Sequence, residues 1–184
     1  MFIYSYIVLW IVLIALTLSM IVIMRRITPA KPRLDMDDVG LEKGSKSPIL
    51  KFETFSKENI DLDVSDNLGT VALYLSVNCG ACANVLADLP TYIKAHKDLS
   101  VVVFMQGEDE KEILQKAGNL PELVPFIPLK DEYINSFRIS LFPFAYFLSS
   151  KGIVLAKGGV PAGMPHLKLL THLALSEKQR KMAS

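Results

Sequence analysis

Cys79 and Cys82 are the only cysteines in the 184 residues, and they enclose Gly80 and Ala81. A Cys-x-x-Cys pair can close a disulfide and pass it on, because a thiolate attacks one sulfur of a disulfide and a neighbouring thiol then releases the product. A free cysteine, with a pKa of about 8.5, is roughly 3% thiolate at neutral pH, and a shift to about 7 makes it roughly half. Gly80 and Ala81 carry no charge. The shift must therefore come from N–H groups at a helix N-terminus and from Cys82 as a donor. That makes Cys79 the nucleophile and Cys82 the residue that resolves the mixed disulfide. Two other roles compete: an inert pair, or a zinc site. Zinc needs two more ligands, and His96, His166 and His172 show no zinc-finger spacing.

Such a pair needs a strand to deliver it and a helix to activate it. Val71 to Leu75 is apolar and suits a buried strand over 70–77, and a helix is expected over 80–97, kinked or broken by Pro90. Upstream, residues 49–55 and 60–64 alternate as strands do, with a turn at Asp66 to Gly69. Downstream come a buried strand over 99–105, an amphipathic helix over 108–117, a short extended piece at 123–127 and a short helix over 132–137. Pro125 favours an edge or terminal position for the extended piece. Residues 144–148 and 153–157 flank Ser149-Ser150-Lys151-Gly152 as a hairpin. A last helix from Met164 to about Lys181 places Leu167, Leu170, Leu173 and Ala174 on one face. Alternating strands and helices imply an α/β sheet covered on both faces. Tyr74, Phe144, Tyr146 and Phe147 are expected in its core, Asn78 in a loop.

Composition adds a second region. The apolar fraction is 51%, and Phe2 to Met24 holds no charged residue. That length spans a bilayer core as a helix. No basic n-region, shorter apolar core or cleavage site marks a removable signal peptide. The expected organisation is a transmembrane anchor (1–24), a tether rich in Pro, Gly and charge (25–48) and a domain (49–184). Net charge is +1, yet without Arg25, Arg26, Lys31 and Arg33 the chain has 16 basic against 19 acidic residues, about −3. Those four suit lipid head groups, and nothing supports nucleic-acid binding. By the positive-inside rule alone they would hold the domain in the cytoplasm.

The strand, Cys-x-x-Cys, helix, strand, helix, proline-led hairpin and final helix resemble the thioredoxin fold, a mixed central sheet with helices on both faces. Leu141-Phe142-Pro143-Phe144-Ala145 stands where that fold keeps a cis-proline facing the disulfide, and Gly40 to Pro48 resembles the lead-in of the membrane-anchored TlpA and ResA group. Within that group the sequence is similar to the methylamine dehydrogenase maturation proteins of the MauD type. The shared residues are Arg26-Ile27-Thr28-Pro29-Ala30, Leu75-Ser76, Pro143-Phe144-Ala145 and Ala156-Lys157-Gly158.

The resemblance implies a membrane-anchored thiol–disulfide oxidoreductase with no cofactor and no metal. Its catalytic residues are Cys79 and Cys82, and Phe142, Pro143, Gly80 and Ala81 meet the substrate. It further implies client proteins with thiols or disulfides, a membrane partner that recycles the pair, and a domain on the extracytoplasmic side. The chain also departs from the family pattern. Asn78 replaces the tryptophan before the first cysteine, Leu73 replaces a buried acid, and Pro90 lies three residues later than usual. A peroxiredoxin needs Pro-x-x-x-Thr-x-x-Cys, where this chain has Ala72 and Ser76. A copper chaperone of thioredoxin fold is the other alternative, with the cysteines as soft ligands.

Overall fold

The computed structural model describes residues 2–27, 39–62 and 67–183. The chain divides into two compact units, Met1–Leu34 and Asp35–Ser184. The first holds helix α1 (Phe2–Ile27). Part of the expected anchor falls outside the described side chains, and among the described residues no helix is long and apolar enough to cross a membrane.

In the second unit, β1 (Lys51–Glu53) and β2 (Asn59–Asp61) form a separate antiparallel pair. The main sheet contains β3 (Gly69–Ser76), β4 (Leu99–Gln106), β5 (Phe126–Pro128), β6 (Phe144–Leu148) and β7 (Val154–Gly159), in the order β5-β4-β3-β6-β7. Strands β3, β4 and β5 are parallel, whereas β6 runs antiparallel to β3 and β7 to β6. The helices are α2 (Gly80–Ala95), α3 (Glu110–Ala117), α4 (Asp131–Ser136) and α5 (Met164–Ala183). The mixed sheet and the element order agree with the sequence expectation. Pro125 leads into the edge strand β5, as expected. Helix α2 runs through Pro90 unbroken.

Pleat alternation divides the core. Val71, Leu73 and Leu75 of β3 pack with Val85, Leu89, Leu167 and Leu170 of α2 and α5. Ala72 and Tyr74 face the other way, toward Phe52, Phe104, Phe137 and Tyr146. Parallel register places Tyr74 beside Phe104, and their rings stack with centroids 4.7 Å apart. Tyr74, Phe144, Tyr146 and Phe147 are all buried, as expected.

Two expectations change, at Leu173 and in the tether, and the start of α5 makes a contact that the sequence does not signal. Leu173 is 46% exposed, and the buried stripe of α5 is Leu167, Leu170, Thr171 and Ala174. This stripe follows i, i+3, i+4, i+7 spacing, which position 173 misses. Thr171 shares a buried hydrogen bond with Tyr92 of α2 at 2.5 Å. Helix α5 takes its cap from outside its own sequence, the Met164 amide donating to Asp88 Oδ2 of α2 at 3.0 Å. Gly163, at φ 63°, lies so close that a Cβ would collide with that carboxylate.

The described part of the expected tether is not a spacer. Residues 44–47 run beside β7: the Gly44 amide donates to Val154 O, Val154 donates to Ser45 O, and Ser47 donates to Gly152 O. The Tyr146 hydroxyl donates to Phe137 O and accepts from the Leu41 amide, each at 2.7 Å. Gly40, at φ 79°, is required there, since a Cβ would strike that hydroxyl. Residues 28–38 of the expected tether lie outside the described residues.

Tyr146→Phe strands a carbonyl and an amide at once and should destabilise the domain by about 1–3 kcal/mol, measured by urea unfolding. Burial pushes Tyr146 up to about 12, against the opposing effects of the Leu41 amide and Arg138. It also raises Tyr74 well above its ordinary value. A folded-state pKa above the unfolded value of about 10 gives stability that is complete below pH 10. That stability is lost as pH climbs toward 12. Urea midpoints should hold from pH 8 to about 9.5 and fall by pH 11, less steeply in Tyr146→Phe.

Candidate active site

The β3–β4 ladder ends at Ser76 opposite Gln106, and one more bond, from the Val77 amide to Gln106 O at 2.9 Å, carries the pairing past the strand. The chain then turns, with the Cys79 amide donating to Ser76 O at 3.2 Å. Cys79 becomes the N-cap of α2 with extended backbone (φ −102°, ψ 112°). Its Sγ accepts the Cys82 amide at 3.2 Å, the role a serine or aspartate oxygen plays at other helix starts. No acidic residue lies in the first turn of α2 to offset the positive end of its dipole.

Cys79 and Cys82 are joined as a disulfide with their Cα atoms 5.3 Å apart. The two sulfurs differ in access. Cys79 is half-buried at the core margin, whereas Cys82 is 1% exposed and packs in the cluster containing Leu73 and Val85. A large partner can therefore approach Cys79 and not Cys82. Gly80 is exposed, with open space where a side chain would go, and Ala81 is half-buried.

The Phe142–Pro143 peptide is cis. Because β6 is antiparallel to β3, with Phe144 opposite Tyr74, Pro143 lies at the end of the sheet from which β3 delivers Cys79. Pro143 is buried and its carbonyl accepts from the Val160 amide at 3.0 Å. Phe142 is half-buried and packs against both core clusters. The histidines stand apart from this site. His96 caps the far end of α2, His166 accepts from the Ala162 amide at 3.4 Å, and His172 is exposed on α5. Among the described residues, no group of three or more His, Cys, Asp and Glu converges as a metal site, and no carboxylate is buried.

Two features were not legible beforehand. The Lys116 ammonium of α3 reaches back to Val77 O, two residues before Cys79. In sequence that lysine reads only as a basic residue in the last turn of a helix. A cleft of about 570 Å³, lined in part by Asn78, also opens beside the disulfide where β3, β4 and β5 end.

The same fold recurs in solved structures. The thioredoxin domain of a thiol-disulfide oxidoreductase from Bacteroides vulgatus superposes with a TM-score of 0.58 at 15% identity, covering 71% of this chain and 99% of that one. A thiol:disulfide interchange protein DsbE from Chlorobium tepidum gives 0.59 at 18% identity, over 73% and 99%. StoA from Bacillus subtilis gives 0.54 at 17%, over 66% and 94%. The chain has the thioredoxin fold. No protein-family model matches the sequence, and no curated protein does. At these identities the structural similarity establishes the fold, and the chemistry rests on the site itself.

A cation fixed near a thiolate favours its ionised form. Lys116→Met should slow alkylation of reduced Cys79 at pH 7 by about two- to five-fold, and Lys116→Arg should restore most of the rate. Equal rates in all three proteins would show that Cys79 does not sense this ammonium.

Proposed function

We propose that this chain is a membrane-anchored thiol–disulfide oxidoreductase acting on protein clients. One observation carries the reading: a disulfide whose half-exposed sulfur caps a helix N-terminus while its partner is buried. The solved structures that share the fold are described as thiol-disulfide oxidoreductases or interchange proteins, which supports the same chemistry.

In the reducing direction the Cys79 thiolate attacks one sulfur of a client disulfide. A Cys79–client bond forms and the other client sulfur leaves as a thiolate. Cys82 loses its proton and attacks Cys79 Sγ, forming the Cys79–Cys82 disulfide and releasing the second client thiolate. Two electrons pass to the client, whose thiolates take up protons from water. Oxidation of a client dithiol is the reverse. Leu73 is apolar and no described carboxylate is buried, so among the described residues no buried acid stands beside Cys82 to take its proton.

The anchor belongs to the same proposal. The described side chains of α1 do not by themselves make up a membrane span, but the uncharged stretch Phe2 to Met24 within it gives about 34 Å at 1.5 Å per residue, against the roughly 30 Å of a bilayer core. The described large apolar side chains of α1, from Ile3 through Trp10 to Met20, are exposed. An apolar helix surface of this kind suits lipid. We place the domain on the extracytoplasmic side, where it would mature exported proteins and be recycled by a membrane redox partner. The resemblance to the MauD-type proteins supports this placement, against the basic residues Arg25 and Arg26 at the end of α1 and Lys31 and Arg33 beyond it.

Cys82→Ser should accumulate a mixed disulfide between Cys79 and a client, seen as a reducible higher-mass band after acid quenching, and Cys79→Ser should abolish it. Absence of any adduct in Cys82→Ser would defeat the proposal. For placement, a membrane-impermeant thiol reagent should label reduced Cys79 in intact cells. Labelling only after lysis would put the domain inside.

A further inference from the structure

The cleft of about 570 Å³ lies where three parallel strands end, beside the Cys-x-x-Cys turn. Its floor includes the buried residues Met105, Ile113 and Leu129, within a lining that is more polar than apolar. Asn78 lines one side and is bonded directly to Cys79, so a chain lying in the cleft passes within one residue of the reacting sulfur. The charged residues lining it are Glu108, Glu110, Asp131 and Lys130, three carboxylates against one ammonium. All four are exposed.

None of the three carboxylates forms an ion pair among the described residues. Nor do they join any group of acidic, histidine or cysteine residues that could hold a metal ion. Lys130 leans over the Tyr133 ring at 6.0 Å, and the Lys116 ammonium is held on Val77 O.

We propose that this cleft is the docking site for the client segment flanking the reacting cysteine, and that it selects segments carrying lysine or arginine beside that cysteine. Apolar stems of such side chains cover the floor while their cationic heads meet Glu108, Glu110 and Asp131. This rests on the oxidoreductase reading and adds the substrate class to it.

The test uses the reduced full-length chain in neutral detergent. Model peptides carry one cysteine as a mixed disulfide with 2-mercaptoethanol, flanked by lysine, glutamine or glutamate. Each rate is divided by that of the same peptide with dithiothreitol, which removes intrinsic differences in disulfide reactivity. The lysine peptide should react about ten-fold faster than the glutamate peptide at low ionic strength, as steering by a few charges allows. The ratio should shrink as salt screens the cleft. In Glu108→Gln/Glu110→Gln/Asp131→Asn, shown to be folded by circular dichroism, the ratio should fall toward one. Equal rates for the peptides, or an unchanged ratio in the triple variant, would overturn the cleft's role and leave the oxidoreductase reading intact. Failure of the reduced chain to react with any peptide or with 2-hydroxyethyl disulfide would overturn both.

Discussion

The domain depends on β3 being paired along both edges. With β4 parallel on one side and β6 antiparallel on the other, its backbone groups are held and its side chains are almost wholly buried. The consequence reaches past the strand. Because the ladder continues through Val77 to Gln106, the turn that follows starts from a fixed point, and the helix it opens starts at Cys79. A sulfur at that position meets the Cys82 amide, which also donates to Cys79 O at 3.1 Å, and the three-residue spacing brings Cys82 round on the buried side of the first turn.

The same pairing fixes which side chain lies beneath the disulfide. Position 73 faces the α2–α5 core, where it packs in one cluster with Cys82. A carboxylate there would have to be desolvated beneath the disulfide, with a correspondingly raised pKa. Leucine makes that region purely apolar. The groups placed around the turn are the N-terminus of α2, which Cys79 caps, and the Lys116 ammonium on Val77 O.

Edges of the sheet are managed by segments that look irregular in sequence. The β1–β2 pair adjoins β5 through the Phe55 amide, which donates to Phe126 O at 3.0 Å, and residues 44–47 run beside the start of β7. Both leave less unpaired backbone open to strand addition by other chains. Tyr146 ties the second of these segments to the core by bonding Leu41 and Phe137 at once. A spacer would have required no such bonds.

Local signals in the chain determined a good deal. Apolar runs at 71–75 and 99–105, the hairpin around Gly152, and the lone Cys-x-x-Cys at a strand–helix junction were legible because each is set by neighbours within a few residues. So was the position of Pro143, through its resemblance to the thioredoxin fold. Boundaries and partners were not. Leu173 of α5 is exposed although its spacing suggests a buried face, because leucine positions alone carry no information about which stripe the sheet will cover. Asp88 capping α5, Lys116 on Val77 O and Tyr146 on Leu41 link residues 76, 39 and 105 positions apart. The cleft beside Cys79 is made by the ends of three strands that are neighbours only in the sheet. The sequence alone determined that a thiol pair would sit at a helix start. Only the tertiary structure decided which sulfur is reachable, which cation lies near it and what surface adjoins it, because burial and long-range contacts exist only once the sheet is assembled.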